Sequence, residues 1–248
     1  QRIDRQSPQA FAEWGRALGA ALGLPLDLIH VPERPKTRAL RLIERVAYGA
    51  EVDAPTVLLR FVATDGGLPR FEAGDLLGVL APGESVARFY SLGSSRRDGA
   101  AEICVRLREG GVCSTFLHRL MVGETLDAFV RQNPRFRPAP GHAPVILIGA
   151  GAGVAPLAGF VRANARQRPM RLYFGARHPA SDFLYEGEWR AALDERRLDA
   201  LRPAFSRAGG GYVQNLLAAD AETLRALVGK GAQILVCGGR DMARGVVE

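Results

Sequence analysis

The sequence predicts two domains, an antiparallel β-barrel followed by an α/β domain with a parallel sheet. Between residues 39 and 136, short apolar runs are separated by Gly, Pro and Ser, which is typical of strands joined by turns. After residue 143, fully apolar runs alternate with helix-like stretches, as buried parallel strands alternate with helices. We therefore divide the chain into a helix and linker (residues 1–36), the barrel (residues 37–141) and the α/β domain (residues 142–248).

The composition indicates a globular protein and excludes a disordered or collagen-like chain, since 47% of the 248 residues are hydrophobic and 24% are charged. The formal net charge is +7, and all but two of the 33 basic residues are arginine. Arginine suits phosphate and carboxylate ligands, although a charged, solvated surface explains the excess equally well. Nucleic-acid binding is typical of basic clusters that also contain aromatic residues. The segment that comes closest, residues 34–45, is basic but contains no aromatic residue, so nucleic-acid binding is not favoured.

The three cysteines lie far apart, at positions 104, 113 and 237, and form no CxxC pair. This spacing argues against a disulfide framework, a zinc ribbon or an iron–sulfur cluster. We predict no metal site and a reducing compartment, the cytoplasm or the cytoplasmic face of a membrane. Residues 143–161 carry no charge over a length that could span a bilayer, but they include four glycines and two prolines. They predict a strand, a glycine turn and a helix start instead.

Periodicity and turn residues predict the elements in chain order. Residues 1–23 form one helix, with Ser7 as its N-cap and Pro8 at its first position. Its apolar face comprises Phe11, Trp14, Leu18 and Leu22. Barrel strands are predicted at residues 56–64, 76–80, 88–92 and 102–107. Further strands are predicted at residues 145–148, 172–175 and 234–238, with helices at residues 154–166, 186–197 and 221–228.

A glycine-rich turn, GAGAGVAP, follows the apolar strand at residues 145–148 and opens a helix. Glycines there let backbone amides approach an anion, and the helix N-terminus favours negative charge, so a pyrophosphate is a natural ligand. The spacing is not GxGxxG, because residue 154 is valine, and the next strand ends at Arg177 with no acid to hold a ribose hydroxyl. A tightened strand–helix junction is the alternative.

Three other segments combine residues that can bind phosphates or rings. Residues 88–91 read RFYS, an arginine, two aromatics and a hydroxyl on one strand, which is also common on ordinary barrel strands. Residues 110–115 form a second glycine turn into a helix, either another anion site or a capped helix. Ser206 and Arg207 can clamp a phosphate monoester, and YVQ follows at residues 212–214.

These segments belong to a set of motifs in a fixed order. The set is FEAGDLLG at 71–78, RFYS at 88–91, GGVCSTFL at 110–117, NPRFRP at 133–138, GAGAGVAP at 149–156, YFGARHPASDFLY at 173–185, SR with YVQ at 206–214 and VCGG at 236–239. With them the chain closely resembles the FAD- and NADPH-binding reductase module of the ferredoxin–NADP reductase superfamily. The diflavin reductase branch, which includes sulfite reductase flavoproteins and cytochrome P450 reductases, is nearest.

The resemblance implies that the barrel binds FAD. Arg88 would bind the FAD pyrophosphate, and Tyr90 would stack on the isoalloxazine ring, with Phe89 beside it in the same cofactor-binding strand. Ser91 would hydrogen-bond near flavin N5, the atom that accepts hydride. The amides and hydroxyl that would wrap the pyrophosphate belong to Gly111, Val112, Cys113 and Ser114.

The resemblance also implies that the α/β domain binds NADPH. Its pyrophosphate and nicotinamide pocket would be shaped by Gly151, Gly153 and Pro156, with Arg177 among the binding residues. Ser206 and Arg207 would hold the 2′-phosphate and select NADPH over NADH, while Tyr212 and Gln214 would complete the adenosine side. Cys237 would lie beside the nicotinamide ring, so Ser91 and Cys237 are the expected catalytic residues. A buried structural thiol is the alternative for Cys237.

The implied function is NADPH oxidation, with hydride passing to FAD and single electrons then passing to a one-electron acceptor. The expected acceptor is a flavodoxin-like FMN domain, either fused in a longer parent protein or separate, or a ferredoxin. A stand-alone ferredoxin or flavodoxin reductase is one alternative, and a catalytically incompetent FAD- and NADP-binding fragment is another.

The chain departs from the family pattern in three places. Gly209, Gly210 and Gly211 stand where the family has a basic residue before YVQ, which weakens the case for strict NADPH preference. Residues 79–88 allow only a short loop where diflavin enzymes insert a connecting domain. The sequence stops at Glu248, before the family's C-terminal aromatic, so we expect a fragment that holds flavin poorly, with residues 1–36 as the remnant of a flavodoxin-like domain and linker.

Overall fold

The structure, a computed structural model, describes residues 8–28 and 35–247. The first elements in chain order are α1 (Pro8–Leu22), β1 (Arg38–Tyr48), β2 (Thr56–Ala63), β3 (Leu76–Leu80), β4 (Arg88–Ser91), β5 (Ala101–Arg106), α2 (Val112–Arg119) and β6 (Thr125–Arg131). The remaining elements are β7 (Val145–Ala150), α3 (Ala155–Arg162), β8 (Met170–Ala176), α4 (Pro179–Asp182), α5 (Glu186–Asp194), β9 (Ala200–Phe205), α6 (Val213–Ala219), α7 (Ala221–Gly229), β10 (Gln233–Cys237) and α8 (Arg240–Val247).

Strands β1 to β6 form an antiparallel sheet in the order β4-β3-β6-β1-β2-β5. An isolated bridge between Leu92 and Ile103 joins the two ends of this sheet, and the Gly93 amide donates to the Glu102 carbonyl at 2.8 Å. These contacts close the sheet into a barrel. Its interior is apolar, and helix α2 covers part of it with the fully buried Leu117.

The predicted barrel strands match β2, β3, β4 and β5 to within a residue at each end. Strand β1 was not predicted as a single long strand, because its alternating arginines resemble a basic surface cluster. In the structure Leu40 and Leu42 face the core, whereas Arg38 and Arg41 face solvent. Strand β6 was also not singled out.

Strands β7 to β10 form a parallel sheet in the order β10-β7-β8-β9. One face packs on α3 and α5, where Trp189 is fully buried, and the other packs on α6 to α8 around Tyr173. Residues 143–161 therefore form a strand, a turn and a helix, as predicted. None of the helices within residues 8–28 and 35–247 has the length and hydropathy needed to cross a membrane.

The predicted fold class, a barrel domain followed by a parallel α/β domain, is confirmed. The predicted helix at residues 154–166 is shorter, because the buried Asn164 ends it by donating to the carbonyls of Arg168 and Arg197 at 3.0 and 2.8 Å. Helices α6 and α8, which were not predicted, cover the sheet near the last strand.

Helix α1 spans Pro8–Leu22, and Gly23, which follows it, has a φ of +66° that suits glycine. The chain then folds back, and Gly15 and Gly19 lie against Leu28, Leu24 and Leu26. Leu22 is 59% exposed, so its predicted place on the buried face is wrong. Its position at the helix end, beyond the returning segment, explains this. Residues 1–7 of the predicted helix, with Ser7, and residues 29–34 of the predicted linker lie outside the described residues.

Candidate active site

A cleft of about 750 Å³ lies between the two domains, at the carboxyl ends of β7 and β10. In parallel sheets ligands bind where the strand order reverses, and here β7 lies between β10 and β8. A second groove of about 970 Å³, termed the barrel groove, continues from the cleft along the barrel. Tyr90, Arg108 and Ser114 line both, so the two spaces form one continuous site.

Nearly all the residues predicted from the sequence line this site. Those in the cleft are Phe89, Tyr90, Ser91, Ser114, Gly151, Gly153, Pro156, Arg177, Ser206, Tyr212, Gln214 and Cys237. Those in the barrel groove are Arg88, Phe89, Tyr90, Gly111, Val112, Cys113 and Ser114. Arg207 lines neither space, and its role in binding stays a prediction.

Strand β4 brings the RFYS residues to the junction of the cleft and the groove. Burial and a hydrogen bond with Cys113 raise the pKa of Tyr90 well above its ordinary value, so its hydroxyl stays protonated. Phe89 packs edge-on against Phe129, with ring centroids 5.8 Å apart. Within the described part of the chain, the Arg88 guanidinium and the Ser91 hydroxyl have no hydrogen-bond partner, which leaves both available to a ligand.

The turn before α2 is packed closely around Gly111. A Cβ added at Gly111 would lie 2.5 Å from the Ser114 Oγ. This hydroxyl donates to the Gly111 carbonyl at 3.0 Å and accepts from the Arg108 amide at 3.2 Å. The first backbone amides of α2 have no hydrogen-bond partner within the helix. Together with the exposed backbone of the preceding glycines, they can bind a pyrophosphate.

The glycine turn between β7 and α3 packs directly on the end of β10. A Cβ at Gly153 would lie 2.4 Å from the Cys237 carbonyl oxygen, and Gly151 has a φ of +51°. Residues 151–154 make a short 3₁₀ turn before α3 begins at Ala155. The turn, Pro156 and Cys237 thus form one wall of the cleft.

Cys237 is partly exposed within that wall. Burial raises the pKa of its thiol to about 11, so the group is uncharged at neutral pH. The thiol can pack against a neutral ring and cannot serve as a base there.

The side of the cleft near β8 and β9, away from Cys237, is rich in arginine. Arg177 donates to the carbonyls of Val52 and Asp53, the latter at 2.8 Å. Arg207 donates to the same Val52 carbonyl at 2.8 Å and forms an ion pair with the Asp53 carboxylate at 3.2 Å. Both arginines therefore hold a loop of the barrel domain, and a phosphate on Arg207 would have to compete with Asp53.

Two cleft residues, Arg106 and Arg108, were not predicted. Burial and the neighbouring guanidiniums of Arg177 and Arg108 lower the pKa of Arg106. The only signal in the sequence is their position just before the second glycine turn. Asp182, also unpredicted, is buried and accepts from the amides of Arg177 and His178 at 2.7–2.9 Å, which fixes the turn after β8.

Comparisons with known proteins agree with this architecture. A family model described as an oxidoreductase NAD-binding domain matches residues 147–248. The chain is 33% identical over 186 residues to the sulfite reductase (NADPH) flavoprotein alpha-component of Klebsiella pneumoniae, covering 68% of this chain and 31% of that protein. It is 38% identical over 152 residues to a self-sufficient cytochrome P450 monooxygenase of Phanerodontia chrysosporium, covering 56% and 14%.

Among solved structures, the ferredoxin–NADP+ reductase of Plasmodium falciparum matches with a TM-score of 0.73 at 16% identity, over 85% of this chain and 89% of that chain. The chain belongs to the ferredoxin–NADP reductase superfamily. Within this superfamily its sequence is related to the diflavin reductases, as the motifs predicted. It spans 28–32% of the length of the sulfite reductase relatives that it matches.

Proposed function

We propose that the chain is an NADPH-dependent flavoprotein reductase that passes hydride from NADPH to FAD and then single electrons to an acceptor. The cleft between the domains carries this proposal. Ser91 from the barrel and Cys237 from the α/β domain line one space, so ring systems held by the two domains would meet there. The volumes of the cleft and of the barrel groove are those of cofactor sites.

The barrel groove fits FAD by charge and shape. The guanidinium of Arg88 and the amides at the start of α2 would hold the pyrophosphate, and Tyr90 offers a ring for stacking. FAD, when bound, supplies hydride acceptance and single-electron release, which side chains cannot. The Ser91 hydroxyl would donate a hydrogen bond at the edge of the reacting ring.

The α/β side of the cleft fits a nicotinamide nucleotide. The turn at Gly151 and Gly153 would carry its pyrophosphate, and Tyr212, 64% exposed, offers a face for the adenine. Arg177 and Ser206 line the cleft where a 2′-phosphate would lie. We propose NADPH as the preferred donor, with Arg207 contributing once its ion pair with Asp53 opens.

The proposed acceptor is a flavodoxin-like FMN domain, because the diflavin relatives are flavoproteins of greater length. A second candidate is a separate ferredoxin, favoured by the direct link from β3 to β4 over residues 81–87 and by the solved ferredoxin–NADP+ reductases of similar fold. The basic net charge favours an acidic partner surface in either case.

A reconstitution experiment tests the proposal. The chain is purified, loaded with FAD and assayed for ferricyanide reduction with NADPH and with NADH. We expect NADPH-dependent turnover, and we expect Arg88→Ala to lose bound FAD because the pyrophosphate loses its guanidinium. Arg190→Ala, at an exposed residue of α5, is the control and should keep its FAD. A chain that never takes up FAD would refute the proposal.

A further inference from the structure

A buried charge cluster lies at the domain interface, outside the residues assigned above. Its centre is Glu102 on β5, whose side chain is 2% exposed. Arg162, the last residue of α3, donates to Glu102 Oε1 at 3.1 Å through both terminal nitrogens. Tyr185 donates to the same oxygen at 2.9 Å. Two residues of the α/β domain, Arg162 and Tyr185, thus meet one carboxylate of the barrel.

The cluster is neutralised within itself. Arg60 lies 3.4 Å from Glu102, and Arg162 also binds Glu188 at 2.7 Å. Burial lowers the pKa of Arg162, but Glu188 and Glu102 outweigh this effect and raise it above its ordinary value. The guanidinium therefore keeps its charge in this buried position. A buried pair with this many hydrogen bonds holds its partners in one geometry.

Arg162 also binds the barrel seam, which is the contact of residues 92–93 with residues 102–103 that closes the barrel. Its Nη1 donates to the Gly93 carbonyl at 2.9 Å, and Gly93 follows Ser91 by two residues. The Gly93 amide in turn donates to the Glu102 carbonyl at 2.8 Å. One guanidinium thereby connects α3 to the strand end that carries the Ser91 hydroxyl.

The backbones of the two domains touch beside this pair. A Cβ at Gly159 of α3 would lie 2.6 Å from the Gly93 carbonyl oxygen and 2.4 Å from the Ala73 Cβ. A Cβ at Gly93 would lie 3.0 Å from the Ala155 carbonyl oxygen. Helix α3 is thus pressed on the seam along its length, while Pro156 at its start lines the cleft.

We propose that Arg162 and Glu102 are positioning residues. They set the distance between the cleft wall formed by the glycine turn, Pro156 and Cys237, and strand β4, which carries Ser91. The inference rests on the proposed function. Neither side chain lines the barrel groove or the cleft, so neither would contact a cofactor held there. Their loss would alter ring-to-ring geometry, and hydride transfer falls steeply with such misplacement.

The test compares Arg162→Met, Arg162→Lys and Glu102→Gln with the FAD-loaded wild type. Arg190→Met, which removes an exposed ion pair of α5, is the matched control. Three quantities are measured: the limiting rate of flavin reduction at saturating nucleotide, the FAD affinity, and the affinity for 2′,5′-ADP, which probes the adenosine end alone. Amide exchange at Leu92 and Gly93 in the cofactor-free chain reports directly on the seam.

We expect Arg162→Met to lower the limiting reduction rate about tenfold to a hundredfold, with both affinities nearly unchanged and faster exchange at the seam. Arg162→Lys should restore part of the rate, and Arg190→Met should match wild type. If Arg162→Met does not fold, Gly159→Ala, whose added Cβ would overlap the Gly93 carbonyl and push α3 away from it, should reproduce the loss.

Two results would overturn the inference. One is an unchanged reduction rate in Glu102→Gln and Arg162→Met, or in Gly159→Ala where Arg162→Met fails to fold. The other is a rate loss matched by equal losses of FAD and 2′,5′-ADP affinity, which would indicate a general structural role. A wild type that no nicotinamide nucleotide reduces would instead refute the proposed function, and the inference with it.

Discussion

At the scale of single residues, the site combines groups left unpaired for ligands with groups fixed by their neighbours. The Ser91 hydroxyl has no hydrogen-bond partner within the described residues, although it lines the cleft. The Ser114 hydroxyl, in contrast, is fully engaged by the turn before α2. We therefore expect Ser91 to act on the reaction and Ser114 to shape the site.

Substituting Ser91 with Ala should slow flavin reduction about tenfold or more, because one hydrogen bond to the reacting edge of the ring is lost. FAD affinity should change much less, since most of the FAD contacts lie elsewhere in the barrel groove. Stopped-flow reduction and FAD titration measure the two effects. An unchanged reduction rate would remove Ser91 from the mechanism.

The thiol of Cys237 gives a pH-dependent prediction. Burial disfavours the thiolate and raises the pKa to about 11, so alkylation by iodoacetamide should keep rising with pH well beyond 9. Mass spectrometry after timed alkylation measures this, and the urea-unfolded chain, whose alkylation rate should be half-maximal near pH 8.5, is the control. The stability linked to this raised pKa is complete below about pH 8.5 and is lost as the pH rises through 11. A rate that is already half-maximal near pH 8.5 in the folded chain would contradict the buried thiol.

At the scale of elements, apolar strands and glycine turns were predictable, whereas polar strands were not. Strand β3 was predicted residue for residue, because four apolar residues and Gly78 stand between turn signals. Strand β1 was missed because its outward arginines hide the alternation of Leu40 and Leu42. The predicted helix continues to residue 166, past the end of α3 at Arg162. The side-chain hydrogen bonds of Asn164 end the helix there, and they form only in the folded chain.

Gly153→Ala should weaken binding of NADPH and of 2′,5′-ADP about tenfold while FAD stays bound. The added Cβ would overlap the Cys237 carbonyl, so the turn must move off β10 and lose its shape for a pyrophosphate. Isothermal titration with 2′,5′-ADP measures the effect. Gly187→Ala in α5 is the control, because its Cβ would meet open space and should leave binding intact. Equal affinity in the Gly153 variant would show that the turn does not hold the nucleotide.

At the scale of the whole molecule, motif order predicted which segments would gather at one site. It could not predict the contacts that join the domains, because those residues carry no local signal. Glu102 and Arg162 lie 60 positions apart in sequence and meet only through the closed barrel and the packing of α3. Arg207 is the opposite case, because it lies in a recognisable motif. The motif predicts a phosphate clamp, and in the folded chain the Arg207 guanidinium forms an ion pair with the Asp53 carboxylate.

The most direct measurement is the visible absorption spectrum of the FAD-supplied protein under anaerobic conditions, before and after NADPH and then NADH. A flavin spectrum that NADPH bleaches, and NADH bleaches less, is the expected result. It would establish that the two domains bring nicotinamide and flavin together. A bound flavin that neither nucleotide bleaches would contradict the account, because the cleft would then not join the two rings.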